Sequence, residues 1–234
     1  MKNLIFIFSL LMVCNLFAVD LVGWKKLYSK KGLSFYSKKL KGSSLLNFRA
    51  VGELKVKTQE ALAILRDVES TAKWDENTKL KKTIENISDI EAITYSITAI
   101  PWPFRDRDMV LVNKLYFDKD RMSLRVDVKS ILRKDYPAKR KLVRAELDVK
   151  MWIRPKNTDT ALIDLQILVN PKGSIPHWVV NIVQQNMPYD FLQGLAKRAR
   201  KIQIDNNPGV KSLYRTLMSN IKILQEQGRT LPVF

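Results

Sequence analysis

The stretch "GSIPHWVVNIVQQNMPYDFLQGLAKRARKIQI", residues 173–204, decides the architecture. Trp178 and Ile182, and Val179, Val183 and Met187, form rows at a spacing of four, which Phe191, Leu195, Ala199 and Ile202 continue. That is the period of a helix with a broad apolar surface. Ser174 is the expected N-cap, with Pro176 just inside the first turn and Pro188 as a kink. A helix of about 29 residues would be roughly 43 Å long, enough to cross a whole sheet.

The sheet is written in the residues before it. From Leu80 to Asn170 come "TIENISDI", "AITYSITAI", "DMVLVNKLYF", "SLRVDVKSIL", "KLVRAELDVKMWI" and "TALIDLQILV", separated by turn-like segments such as "FDKD" and "RPKNTD". Leu124, Val126 and Val128 take one side of a strand and Arg125, Asp127 and Lys129 the other, the pattern of an antiparallel meander with one wet face. Upstream, "SLLNFRAVGELKV" (44–56) reads as a strand, and "TQEALAILRDVES" (58–70) as a helix with Thr58 as N-cap. The spacing of Leu21, Trp24, Leu27 and Tyr28 predicts a short amphipathic helix before a strand. Past Asp205, "PGVKSLYRTLMSNIKILQEQG" is one more amphipathic helix, a C-terminal extension over residues 206–234. The expected class is α+β: a curved antiparallel sheet wrapped around one long C-terminal helix. A sheet curled round a single helix leaves an apolar cavity between them, a candidate ligand site.

Met1-Lys2-Asn3, the apolar run Leu4–Val13 and Ala18 read as a secretory signal cut near residue 18, so the expected location is periplasmic or secreted. A lipoprotein reading through Cys14 is weaker, because Val13 is bulky for the residue preceding a lipidated cysteine. After that cut no cysteine remains, and one histidine, His177, leaves no His-rich zinc site. No glycine-rich phosphate loop is present, and no cofactor is expected. Net charge is +18, from 41 Lys and Arg against 23 Asp and Glu. Such a balance seeks an anionic partner; export removes nucleic acid from reach and leaves an anionic membrane surface.

Three segments in order carry a resemblance: "WDENTK" (74–79), "PWPFRDRDMV" (101–110) with Arg107-Asp108 as its Arg-Asp pair, and "NPKGSIPHWVVN" (170–181). Together they resemble the steroidogenic-acute-regulatory-related lipid-transfer (START) family over Trp24 to Lys201, within a domain spanning 19–205. Asn170, where an Asp is common, and the tail beyond Asp205 depart from the pattern. The resemblance implies a helix-grip fold holding one lipid-like molecule in an apolar cavity, and a monomeric carrier that moves it between membranes. The alternative it leaves open is a helix-grip enzyme, cyclase- or hydratase-like; the scarcity of His and Cys argues against catalysis.

Arg107 and Asp108 are neighbours on an extended segment, so they face opposite sides of the sheet. An inward charge would meet a lipid head; otherwise the pair fixes the strand start. Arg105-Asp106 reads as a solvated turn, and acid pairs Asp106/Asp108 and Asp118/Asp120 as poor acid-base sites. Trp152, Trp178 and Ile182 are expected on the cavity wall, while His177 belongs to packing and capping of the helix start. "LRKDYPAKRKLVR" (132–144) sets Lys134, Tyr136, Lys139, Arg140 and Lys141 on a basic loop; the resemblance puts it near the cavity mouth, against the membrane.

Overall fold

The computed structural model describes residues 21–201 and 207–232, with the backbone alone for 177–179 and 181–183. The expected cleavage site and Cys14 lie outside the described residues.

The chain opens with β1 (Lys25–Lys30) and β2 (Leu33–Lys39), a hairpin where a helix was expected. Lys31 and Gly32 both adopt positive φ, 51° and 82°, the geometry of a two-residue hairpin turn. Tyr28 stacks on Phe35 across the pair at 4.6 Å, so the apolar residues that mimic a helical stripe serve a strand instead. Then come β3 (Leu46–Leu54), α1 (Thr58–Arg66) and a 3-10 segment, Val68–Lys73. Lys57, and not Thr58, takes the N-cap position of α1.

Six further strands follow in the order expected: β4 (Thr78–Ser88), β5 (Glu91–Thr98), β6 (Arg107–Asp118), β7 (Ser123–Ser130), β9 (Glu146–Pro155) and β10 (Ala161–Asn170), with the short β8 (Val143–Arg144) before β9. One sheet joins them in the order β1-β2-β3-β10-β9-β7-β6-β5-β4, antiparallel along this path, with β8 beside β6 in parallel. Strand β3 thus pairs with β10, so the two ends of the domain meet in mid-sheet.

The long helix is α2 (His177–Ala199), 23 residues and about 35 Å. It starts after Pro176 and not at Ser174, because a residue preceding proline is held extended and Pro176 itself stays extended at ψ 134°. It continues through Pro188. Its C-terminal half is packed: Leu192, Leu195, Ala196 and Ala199 meet Leu33, Phe35 and Ala50 from the sheet and Ala61, Leu62 and Ile64 from α1. The C-terminal helix α3 (Pro208–Glu226) is capped by the Asn207 side chain, which accepts from the Val210 N–H at 3.0 Å. Val210, Leu217, Ile221 and Leu224 enter the same core beside Leu115 and Leu124. No helix among the described residues is long and apolar enough to cross a membrane.

The outer face of the sheet holds buried charge. Arg49 grips Asp164 with Nε and Nη2 at 2.8 and 2.7 Å, and Arg121 reaches the same carboxylate at 2.8 Å. Trp24 lies under the Arg49 guanidinium, 5.5 Å from ring centre to Cζ.

One glycine sets how close α2 lies. A Cβ on Gly194 would stand 2.6 Å from the Trp74 carbonyl oxygen, a backbone atom with no side-chain freedom to yield. Gly194→Ala is therefore expected to destabilise the fold by about 1–3 kcal/mol by urea unfolding, although alanine is favoured by about 1 kcal/mol in an open helix.

Candidate functional site

Among the described side chains, the packed core takes in the C-terminal half of α2. Beneath the N-terminal half lies a cavity of about 220 Å3. Its floor is the inward face of the sheet, including Met109, Leu111, Val126, Val128, Leu147, Val149 and Ile167, and its roof is Val180, Met187 and Phe191 of α2. Trp74 closes one side and packs on Phe191 with ring centres 5.6 Å apart. Asn77, Ala99, Ile100, Pro171 and Ile175 line it from the β5–β6 loop, the turn before β4 and the loop before α2.

Polar groups are few and distinct. The Gln184 amide nitrogen donates to the Val169 carbonyl at 3.2 Å, while its Oε1 is buried without a hydrogen-bond partner among the described residues. The Trp74 indole N–H is likewise unpaired. Asp75, the one carboxylate on the wall, accepts from the Asn77 N–H at 3.2 Å and the Thr78 hydroxyl at 2.6 Å, so both its oxygens serve the turn entering β4. It is engaged in structure and not poised as a general base.

The doubled Arg-Asp divides between the two faces. Arg107, 3% exposed, lines the cavity. It donates from Nε to the Pro171 carbonyl and from Nη2 to the Lys172 carbonyl, both at 2.8 Å, and from Nη1 to the Arg105 carbonyl. All these partners are neutral, so a buried cation stands on the wall with no carboxylate bonded to it among the described residues. Burial first, and then Arg105, lowers its pKa.

Asp108 does not line the cavity. It points to the outer face, 0% exposed, where Arg144 holds it bidentately at 3.0 and 2.9 Å and the Tyr95 hydroxyl donates to it at 3.0 Å. Asp106 is no free turn residue: it pairs with Lys79 at 2.6 Å and accepts from the Ile100 N–H at 3.2 Å. The Lys79 hydrogen bond holds its carboxyl below the usual range.

Trp152 is corrected in the same way. Its indole lies on the outer face, donating to Asp118 at 2.8 Å, with Arg121 and Arg125 over the ring at 4.0 and 4.7 Å. The signal was in the sequence: Leu147, Val149, Met151 and Ile153 keep one parity along β9, which puts Trp152 with Asp148 and Lys150 on the other. Trp178 and Ile182 sit on the first turns of α2, and their side chains, like that of His177, lie outside the described residues.

The basic loop lies across the outer face, next to the β5–β6 loop whose Ala99 and Ile100 line the cavity; Arg105 donates to the Arg140 carbonyl at 3.3 Å and joins the two. Lys134, Lys139, Arg140 and Lys141 are exposed. Tyr136 is not: half-buried, it packs on Tyr95 at 5.7 Å and helps cover Ile93 and Val110. Sequence reading missed two exposed apolar side chains at this end, Trp102 at 92% and Leu132 at 88%. It also missed Lys81, which lines the cavity.

A family model described as "START domain" matches residues 11–203. An uncharacterised protein of Pseudomonas aeruginosa is 27% identical over 182 residues, 76% of this chain and 87% of its own length. The phosphatidylcholine transfer protein of Mus musculus is 24% identical over 178 residues, covering 74% of this chain and 82% of that protein. Among solved structures, a STAR-related lipid transfer protein fragment from Xanthomonas axonopodis aligns with a TM-score of 0.68 and 26% identity, covering 76% of this chain and 99% of that one.

The Asp108 cluster can be tested by stability. Asp108→Ala leaves Arg144 without its carboxylate and should cost about 3 kcal/mol in urea unfolding, whereas Tyr95→Phe should cost about 1 kcal/mol. Burial and the Asp108 hydrogen bond push the Tyr95 hydroxyl up to about 12. Because the folded pKa lies above the unfolded one, the stability it contributes is complete below pH 10 and lost as pH rises towards 12. Ultraviolet titration should show Tyr95 and Tyr116, also near 12, ionising late, and Tyr95→Phe should remove one of those late steps.

Proposed function

Because the chain belongs to the START family, whose members bind and transfer lipids, we propose that it holds one lipid between sheet and α2 and carries it from one membrane to another without chemical change. The observation that carries this reading is the apolar cavity beneath the N-terminal half of α2. At about 220 Å3 it lies below the roughly 300–1,000 Å3 of sites that enclose a drug-sized ligand. A two-chain lipid therefore enters by displacement of the roof, and the first turns of α2 with the loop before them are the natural door. Among the described residues the one wall carboxylate, Asp75, is spent on its own turn, which favours a carrier over an enzyme.

The membrane face in this proposal is the end where the β5–β6 loop and the basic loop lie together, and the cavity opens there in the same proposal. Trp102 and Leu132 present apolar surface, and Lys134, Lys139, Arg140 and Lys141 surround them with positive charge. Tryptophan suits the headgroup boundary, and each cation near an anionic surface is worth about 1 kcal/mol. Tyr136, spent on the fold, is not part of this face. Residues 1–18, read as a secretory signal, put the exchange outside the cytoplasm in the same proposal.

The test is transfer of a fluorescent phospholipid from donor to acceptor vesicles containing phosphatidylglycerol. The full chain should accelerate transfer. Trp102→Glu with Leu132→Glu should cut both vesicle binding and transfer by about tenfold or more, and Lys139→Glu, Arg140→Glu and Lys141→Glu together should weaken binding most at low salt. Transfer at the spontaneous rate would overturn the carrier reading; binding that ignores these changes would discard this face as the contact.

A further inference from the structure

Strand β4 contains an inversion of the usual burial pattern. In "TKLKK", residues 78–82, the apolar Leu80 faces outward and is exposed, while Lys81 faces the cavity. The cause is a register shift between Thr78 and Leu80. Thr78 pairs with Thr98, Leu80 with Ile97 and Lys81 with Ser96, so Lys79 is an extra, bulged residue. Thr98 and Ser96 both line the cavity. Without the bulge, simple alternation would send Leu80 inward and Lys81 out. A bulge that re-aims one side chain is a built feature of a strand, and here it turns a lysine inward where a leucine was available.

No described residue forms an ion pair with that lysine. Its ammonium makes no ion pair or hydrogen bond among the described residues, and burial lowers its pKa, offset only in part by the charge of Asp75. Arg107 stands on the same wall, two strands away and two residues along, since Thr98 pairs with Arg107 and Ser96 with Met109. Two strand spacings and two residues put their Cα atoms roughly 12 Å apart, within the combined reach of two long basic side chains. Neutral carbonyls occupy only three of the five N–H donors of the Arg107 guanidinium. The charged residues lining the cavity are therefore Lys81 and Arg107 against Asp75, whose oxygens are already bonded within its turn. A buried cation without a counter-charge is costly unless a ligand supplies one. The unpaired Trp74 indole N–H adds a further donor on the same wall.

We infer that the cavity selects lipids whose headgroup carries a net negative charge, with Lys81 as the residue that binds the anionic oxygen and Arg107 as its partner. This rests on the carrier reading and sharpens it. A zwitterionic head brings its own cation into a site that already has an excess of positive charge, whereas a phosphate with an uncharged substituent, or a fatty carboxylate, brings only the charge the site lacks.

The experiment uses vesicles holding phosphatidylglycerol and phosphatidylcholine in equal amounts, so that surface attraction is common to both and only the cavity chooses. The full chain is incubated with them and reisolated, and its bound lipid is counted by native mass spectrometry; a parallel arm offers palmitate in competition. The wild type should carry phosphatidylglycerol over phosphatidylcholine by about tenfold. Lys81→Met, which keeps length and removes charge, should bring that ratio close to one and raise the thermal midpoint, since an uncompensated cation has been removed. Effective competition by palmitate assigns the recognised anion to a carboxylate, and failure to compete assigns it to a phosphate; both fit an anionic head. An unchanged ratio in Lys81→Met, a wild type that prefers phosphatidylcholine, or a lowered thermal midpoint would overturn the inference while leaving the carrier reading intact. A wild type that loads neither lipid would overturn the carrier reading itself.

Discussion

One helix cannot fill the concavity of a curved ten-stranded sheet, and the rest of the structure follows from where that shortfall falls. Over its last turns α2 has company: α1 packs beside it, α3 adds its apolar face to the same core over β6 and β7, Gly194 lets α2 approach the Trp74 backbone, and the space closes into a dry core around Leu192 and Leu195. Over its first turns the roof above Met109, Leu111, Val126 and Val128 stands off, and the space stays open. The tight half anchors α2 in the core. A helix that opens from one end is the economical way to admit a lipid, because the core holding the fold is never exposed.

The outer face lets the inner face be what it is. Arg49 with Asp164, and Arg144 with Asp108, satisfy their charges on the side away from the ligand. Such pairs contribute little net stability, but breaking one leaves an unpaired charge in a dry site. They pin β3 to β10 and β8 to β6. The inner face is then free to carry apolar side chains and two cations without acidic partners bonded to them.

Most of the fold was legible in the sequence, because strands with one apolar parity and a long apolar helix have few ways to meet. The misreadings share a cause: parity and period are local, while face assignment depends on pairing. Leu21, Trp24, Leu27 and Tyr28 fit a helical stripe as well as a hairpin, and the Lys31-Gly32 turn settles it for the hairpin. Asp108 and Arg107 were separable into opposite faces, but which one met the cavity depended on how β6 sits between β5 and β7. Trp152 could have been placed from the parity of its own strand. Lys81 could not, since the bulge at Lys79 that turns it inward exists only in the pairing with β5. Trp102 and Leu132 were hidden for another reason: nothing in an apolar residue within a loop announces that it is left uncovered.

The central claim is that this chain holds one lipid in the space its helix leaves. Native mass spectrometry of the protein purified in mild buffer from its own host measures this most directly. The account predicts a species heavier than the polypeptide by the mass of one lipid, lost on extraction with organic solvent and restored by incubation with vesicles. A chain that appears only at its own mass, before and after such incubation, would contradict it.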